Sequence, residues 1–120
     1  MTLTRGIPLS VHGAIEVIAA PAIMAAPFVF GFAPLATAVA VAIGVLLMAL
    51  ALQVEGPSRT VPLSAHAGFD YALALTAVAV GLGIAIATGS WQESIFLVGI
   101  GVAQVALTAS TRFSVARGAQ

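Results

Sequence analysis

The 120-residue chain contains no cysteine and no lysine, and only 7% of its residues are charged. Without cysteine, the chain can form no disulfide, no thiolate metal ligand and no cysteine nucleophile. Four arginines and four acidic residues give a formal net charge of zero, so no basic face exists that would bind nucleic acid. Soluble domains average about a quarter charged residues, so this shortage of charge excludes an ordinary soluble domain and a disordered segment.

Apolar residues make up most of the chain: 61% are hydrophobic, and the mean hydropathy is +1.15. A helix needs about 20 mostly apolar residues to cross ~30 Å of hydrocarbon. Four stretches meet this requirement, at about residues 11–32, 35–54, 65–88 and 94–110. We therefore predict an all-α membrane protein, in which residues 1–120 form a single transmembrane domain with the architecture of a four-transmembrane-helix bundle.

The arginines predict how the helices are oriented. Arg5 precedes the first span, Arg59 lies between the second and third, and Arg112 and Arg117 follow the fourth. With four spans, these three segments lie on one side of the membrane, and the positive-inside rule makes that side the cytoplasm. We expect a multi-pass protein of the cell (inner or plasma) membrane, with both termini cytoplasmic and the lipid bilayer as its partner. The first span carries Glu16, which favours a retained helix over a cleaved signal peptide.

One segment occurs twice in the chain. Residues 5–16 (RGIPLSVHGAIE) match residues 59–70 (RTVPLSAHAGFD), with identical Arg, Pro, Leu, Ser and His. Each unit contains two spans, so the two units run in the same direction and predict a pseudo-two-fold axis along the membrane normal. We therefore expect two parallel two-helix repeats, which cover about residues 5–55 and 59–115.

Local signals predict where the helices start and turn. A proline is tolerated at a helix start because no earlier turn needs its missing N–H group. We expect Ser10 and Ser64, which follow these prolines, to cap the first free amides. Residues 31–34 and 89–92 contain the glycines and the proline expected of hairpin turns.

Five polar residues within the spans are the candidate ion- or proton-binding residues. His12 and Glu16 are spaced i, i+4, as are His66 and Asp70, so each pair shares one helix face. The repeat places both pairs at a similar depth, near the cytoplasmic side, and Gln104 lies at a similar depth in the fourth span. An ionisable residue inside a membrane span is by default functional, with a partner inside the bundle.

Several chemistries are open to this cluster. Two imidazoles and two carboxylates can bind a divalent transition metal, so His12, His66, Glu16 and Asp70 are possible metal ligands, although the sequence requires no cofactor. The same groups can pass protons, and a bis-histidine haem is a further alternative in a chain that offers little volume for it. A purely structural role is equally open, because a carboxylate is stabilised near a helix N-terminus. Carboxylates ~4–6 Å apart would favour a shared site.

Small residues mark the expected helix-packing positions, because they let backbones approach closely where lipid gives no hydrophobic driving force. These positions are Ala36, Ala40 and Gly44 in the second span, Gly81 in the third and Gly101 in the fourth. We expect the face that carries Ala36, Ala40 and Gly44 to meet lipid and to support association into a homo-oligomer or a larger membrane complex.

Part of the first unit is similar to a known family. The segments HGAIE (12–16) and APFVFGF (26–32), with the apolar run that continues to Leu52, resemble the SPW-repeat family of small bacterial membrane proteins. In that family a helix ends in a Ser-Pro-Trp-like element and a Gly-Phe turn, and here Ala26 and Phe28 stand where the family has Ser and Trp. The resemblance implies two-helix units used once or twice, and it implies no catalytic residues.

Three functional hypotheses follow from these patterns. The first is a non-enzymatic integral membrane protein with a structural, assembly or accessory-subunit role. The second is a small cation- or proton-coupled transporter or channel that uses the polar cluster. The third is a metal- or haem-binding membrane module. We expect no enzyme activity, because the chain has no Gly-x-Ser-x-Gly nucleophile elbow and no oxyanion hole is indicated.

Overall fold

The computed structural model describes residues 5–54 and 62–113. Within these ranges the chain forms four α-helices, each long and apolar enough to cross a membrane. They are α1 (Leu9–Phe30), α2 (Pro34–Ala51), α3 (Leu63–Thr88) and α4 (Trp91–Ala109). The described residues contain no β-strand, and a single β-bridge pairs Ile7 with Thr111. The predicted all-α, four-helix class is therefore confirmed, whereas Arg59 and Arg117 lie outside the described residues.

The helix starts correct one prediction. Pro8 and Pro62 are the N-cap residues of α1 and α3, with φ near −63° and −59°, and neither helix has a side-chain cap hydrogen bond. Ser10 and Ser64 lie inside the first turn, so the prediction that they cap these helices is wrong. Proline has a ring-fixed φ that already suits a helix start, so each helix begins directly after it.

The two hairpin turns are tighter than the sequence predicts. Gly31 and Gly89 follow α1 and α3 with φ of +69° and +68°, which is the left-handed conformation that favours glycine at a helix end. Pro34 is already the first residue of α2, and α4 begins at Trp91. The prediction that Trp91 and Gln92 belong to the second turn is wrong, because the left-handed glycine reverses the chain within two residues.

Each hairpin is closely packed, and glycine allows the approach. A Cβ atom on Gly44 would lie 3.0 Å from the carbonyl oxygen of Ala20 in α1. In the second hairpin, a Cβ on Gly81 would lie 3.0 Å from the Ser94 carbonyl oxygen. A Cβ on Gly101 would lie 2.6 Å from the carbonyl oxygen of Ala74, closer than real Cβ atoms come. These glycines therefore set the distance between the two helices of each hairpin.

The face of α2 that carries Ala36, Ala40 and Gly44 points into the bundle, whereas we expected it to meet lipid. Ala36 and Ala40 are 0% exposed in the hydrophobic core, and Gly44 is buried against Ala20 and Met24 of α1. The prediction that this face meets lipid is wrong, because small residues are needed where helices approach within the bundle. Association into a homo-oligomer stays a prediction, but these three residues no longer support it.

The outer surface of the bundle is apolar, and a cluster of polar side chains is buried inside it, which is unlike a soluble protein. Large apolar side chains point outward, with Ile18, Val29 and Ile86 exposed by 76, 76 and 88%. Polar side chains such as His12 and Asp70 are instead fully buried. An apolar exterior around a buried polar cluster is what a bilayer requires, since hydrocarbon cannot solvate polar groups.

We expect Gly101→Leu to lower the thermal unfolding midpoint of the protein in detergent. The new side chain has to push against the Ala74 carbonyl, and overpacking of this kind costs about 1–3 kcal/mol. Gly99→Leu on the same helix is the matched control, because a Cβ at Gly99 meets nothing within 4 Å. Circular dichroism measures the thermal unfolding midpoint of each variant. Equal midpoints for Gly101→Leu and Gly99→Leu would contradict close α3–α4 packing at Gly101.

Candidate metal centre

The structure brings two histidines and two carboxylates together at one end of the bundle. His12 and Glu16 come from α1, and His66 and Asp70 come from α3. All four residues are only 0–1% exposed. Each offers one potential ligand atom, and these four atoms all lie within 4.8 Å of one another. The predicted buried cluster of histidine and carboxylate is therefore present.

Helix geometry explains why the two pairs meet at the same height. Each histidine is the fourth residue of its helix and each acid is the eighth, counted from Leu9 and Leu63. The i, i+4 spacing places each acid one turn beyond its histidine on the same face. Because α1 and α3 begin at the same end of the bundle, the pairs come face to face.

Every histidine in the cluster contacts both acids. The Nε2 atom of His12 lies 2.9 Å from Asp70 Oδ2 and 3.1 Å from Glu16 Oε2. The Nε2 atom of His66 lies 3.2 Å from Asp70 Oδ2 and 3.5 Å from Glu16 Oε1. Each acid thus contacts the histidine of its own helix and the histidine of the other hairpin.

A threonine that the sequence analysis missed orients His12. The Nδ1 atom of His12 lies 2.8 Å from Thr111 Oγ1, and this hydroxyl donates its own hydrogen to the Leu107 carbonyl oxygen at 2.6 Å. The Thr111 oxygen must therefore accept from the Nδ1–H group of His12. Nε2 is left to face the carboxylates, as in metal sites where the second ring nitrogen is held by a hydrogen bond.

Gln104 connects α4 to the cluster, at the depth that its position in the sequence predicts. Its Nε2 atom donates to Glu16 Oε2 at 2.8 Å and to Thr108 Oγ1 at 3.4 Å. A carboxylate only accepts hydrogen bonds, so the amide nitrogen of Gln104 must face Glu16. Gln104, Thr108 and Thr111 follow one another at helical spacing, and this polar stripe is the signal that would have revealed Thr111.

Phe113 covers the cluster at its open end. Its ring centroid lies 5.0 Å from that of His12 and 5.7 Å from that of His66. The segment before it is fixed to the start of the chain, because the Arg112 amide donates to the Ile7 carbonyl and the Ile7 amide donates to Ser110, each at 3.0 Å. No spacing rule links Phe113 to the histidines, so the sequence did not indicate this contact.

Three buried polar atoms of the cluster make no hydrogen bond: Glu16 Oε1, His66 Nε2 and Asp70 Oδ1. His66 Nε2 is near Asp70, but the contact lacks hydrogen-bond geometry. Buried polar atoms without a partner are rare in proteins, and each one costs free energy. Since all three belong to the same four residues, they mark the cluster as a place where a cation would supply missing interactions.

The arrangement disfavours one of the predicted cofactors. A bis-histidine haem would hold its macrocycle between the two imidazoles, with the iron between the Nε2 atoms. In this structure Asp70 Oδ2 lies within 3.2 Å of both Nε2 atoms, so carboxylate oxygen already occupies the space beside them. The cluster therefore fits a small ion better than a macrocycle.

A second polar contact joins the hairpins at the opposite end of the bundle. Glu93, in the first turn of α4, is buried, and its carboxylate accepts a hydrogen bond from the backbone amide of Ala33. Glu93 is not one of the candidate residues that the sequence pattern predicts. An acid in the first turn of a helix is stabilised by the helix dipole, and this was the only signal in the sequence for Glu93. No sequence pattern indicated that the Ala33 amide would be its partner.

Comparison with protein-family models, with curated proteins and with solved structures found no match to this chain. The resemblance to the SPW-repeat family and the internal repeat therefore stay predictions from the residues that carry them.

We expect Thr111→Val to destabilise the protein, because it leaves the buried Nδ1–H group of His12 without an acceptor. The loss of a buried partner costs about 1–3 kcal/mol. The matched control is Thr76→Val, since the Thr76 hydroxyl is exposed and bonds only to its own helix at Ala72. Thermal unfolding measures the stability, and ¹⁵N NMR of the imidazole reports the His12 tautomer. If neither the stability nor the His12 tautomer changed in Thr111→Val, the orienting role of Thr111 would be contradicted.

Proposed function

We propose that this protein is a non-enzymatic integral membrane protein that binds one divalent transition-metal ion through His12, Glu16, His66 and Asp70. One observation carries the proposal: four potential ligand atoms lie within 4.8 Å of one another, from residues that are all buried. The ligands come in equal numbers from two helices, so binding the ion also holds the two hairpins together.

The distances within the cluster support a tetrahedral site. Zinc binds imidazole nitrogen and carboxylate oxygen at ~2.0–2.2 Å, which places neighbouring ligands of a tetrahedron ~3.3–3.5 Å apart. The four histidine-to-carboxylate distances are 2.9, 3.1, 3.2 and 3.5 Å. These four distances use both carboxylate oxygens of Glu16, and a set with one ligand atom per residue lies within 4.8 Å. The side chains therefore have to move closer together to surround an ion.

Charge and ligand type support a divalent transition metal over other ions. Two carboxylates balance the charge of a divalent ion when both imidazoles are neutral, which avoids an uncompensated charge in an apolar interior. Imidazole suits zinc, copper, iron and nickel, whereas magnesium and calcium prefer all-oxygen sites. Thr111 and Gln104 hold His12 and Glu16 in place, as the outer hydrogen bonds of metal sites do.

The proposed orientation places this site toward the cytoplasm. The cluster lies in the first turns of α1 and α3, at the end of the bundle where Arg5 precedes α1 and Arg112 follows α4. By the positive-inside rule, that end faces the cytoplasm. Both termini are then cytoplasmic in a multi-pass protein of the cell membrane.

A structural role without a metal is the second candidate, because the cluster already joins the two hairpins. His12 of α1 contacts Asp70 of α3 at 2.9 Å, and Gln104 of α4 donates to Glu16 of α1 at 2.8 Å. In this role the side chains would act as a polar clamp in an assembly or accessory subunit. Movement of a cation or proton stays a prediction, which the near-complete burial of all four side chains does not favour.

We expect purified protein, stripped with a chelator, to bind one Co²⁺ per chain with the visible absorption of a tetrahedral complex. His12→Ala and His66→Ala should each weaken Co²⁺ binding at least tenfold, because each variant removes one of four ligands. Glu93→Gln is the matched control, since Glu93 is a buried acid at the other end of the bundle. Weak, non-saturating Co²⁺ binding, or equal binding by all variants, would refute the metal site.

Thermal stability measured with and without Zn²⁺ distinguishes a metal site from a polar clamp without a metal. If the ion binds the folded state, Zn²⁺ at 100 times its dissociation constant should stabilise the wild-type protein by about 2.7 kcal/mol. Asp70→Asn should lose most of this gain, whereas Glu93→Gln should keep it. A clamp without a metal instead predicts that Asp70→Asn lowers the unfolding midpoint and that Zn²⁺ moves the midpoint of neither protein.

A further inference from the structure

The two carboxylate oxygens of Glu16 differ in their surroundings. Glu16 Oε2 accepts a hydrogen bond from Gln104 Nε2 at 2.8 Å and lies 3.1 Å from His12 Nε2. Glu16 Oε1 is buried, makes no hydrogen bond and lies 3.5 Å from His66 Nε2. One oxygen is therefore held by α4 from outside the four-residue cluster, whereas the other is left without a partner inside it.

Asp70 meets the two imidazoles in a different way. Its Oδ2 atom lies 2.9 Å from His12 Nε2 and 3.2 Å from His66 Nε2, so this single oxygen faces both rings. Glu16 instead has Oε2 near His12 and Oε1 near His66. Glu16 is therefore the acid that faces the two imidazoles with two different oxygens. The number of Glu16 oxygens that bind an ion then decides how many ligand atoms the site supplies.

The hydrogen bond from Gln104 is an asymmetric feature of the cluster. Gln104 belongs to α4, the second helix of the second hairpin. The second helix of the first hairpin, α2, contains Thr37 as its one polar side chain, and Thr37 donates to the Phe32 carbonyl before that helix. The helix α2 therefore offers Asp70 no amide of the kind that α4 offers Glu16.

We infer that Gln104 restricts Glu16 to binding the ion through Oε1 alone, and that the site thereby selects zinc over manganese. This inference rests on the proposed metal site. An outer hydrogen bond orients a ligand side chain, and the bond from Gln104 holds Oε2 while Oε1 is free to bind. Gln104 is thus a positioning residue, because it acts on the ion through Glu16.

The count of ligand atoms connects this restriction to the choice of ion. Oε1 of Glu16, Oδ2 of Asp70 and the two imidazole Nε2 atoms make four ligand atoms, which is the number that zinc takes in closed sites. Manganese suits octahedral sites that are rich in oxygen. A second oxygen from Glu16 would raise both the number of ligand atoms and the share of oxygen among them, which favours manganese.

A purely structural role of Gln104 gives a different result. Gln104 also joins α4 to α1 through Glu16, and loss of that link alone would weaken the binding of every ion to the same extent. Only a change in how Glu16 binds alters the geometry around the ion and the ratio of two affinities. These two quantities therefore distinguish a positioning residue from a structural one.

The test compares Gln104→Met with the wild type as full-length purified protein in detergent. Methionine has a similar length but no N–H donor, so the variant frees Glu16 Oε2. We expect bound Co²⁺ to lose the intense visible absorption of a tetrahedral complex. The dissociation constant of Mn²⁺ divided by that of Zn²⁺ should fall about tenfold, the size of effect that loss of an outer hydrogen bond has on metal binding. An unchanged spectrum or an unchanged ratio would overturn the inference.

Two further variants complete the comparison. Gln92→Met is the matched control, because Gln92 is an exposed glutamine on the same helix; it should keep the wild-type spectrum and ratio. Gln104→Asn decides the result if Gln104→Met does not fold. It keeps the amide but shortens the side chain by a methylene group, which withdraws the donor from Glu16, and we expect the same changes in spectrum and ratio.

Failure of the metal site and failure of this inference give different results. A wild-type protein that does not bind Co²⁺ stoichiometrically would refute the metal site, and the inference with it. A wild-type protein that binds one Co²⁺ with the weak absorption of an octahedral complex would leave the metal site in place and overturn the inference. Equal weakening of Zn²⁺, Co²⁺ and Mn²⁺ binding in Gln104→Met, with an unchanged spectrum, would assign Gln104 a structural role and likewise overturn it.

Discussion

The contacts between two histidines and two carboxylates are the interaction on which the rest of the structure depends. In a hydrocarbon surrounding, an ionisable side chain has to find its partner inside the protein, because no water is there to solvate it. His12 and Asp70 meet at 2.9 Å across the two hairpins, and Glu16 and His66 complete the set. This requirement brings the starts of α1 and α3 together, although close backbone packing occurs mainly within each hairpin.

The two hairpins are joined differently at their two ends. At one end the polar cluster joins α1 to α3, and Gln104 adds α4. At the other end Glu93 of α4 accepts the backbone amide of Ala33, just before α2. Between these contacts α2 packs on α3 and α4, and apolar side chains from all four helices line a cavity of about 430 Å³. The two hairpins are thus joined by polar contacts near both ends of the bundle.

The sequence alone determined the helices and the height of the cluster. Hydropathy and length suffice for four spans, and i, i+4 spacing places His12 with Glu16 and His66 with Asp70 on single helix faces. Helical periodicity defines a face but not the neighbour that it meets. The tertiary structure therefore decided that Ala40 faces the core and that Thr111 orients His12, because both depend on packing between segments that are distant in the chain.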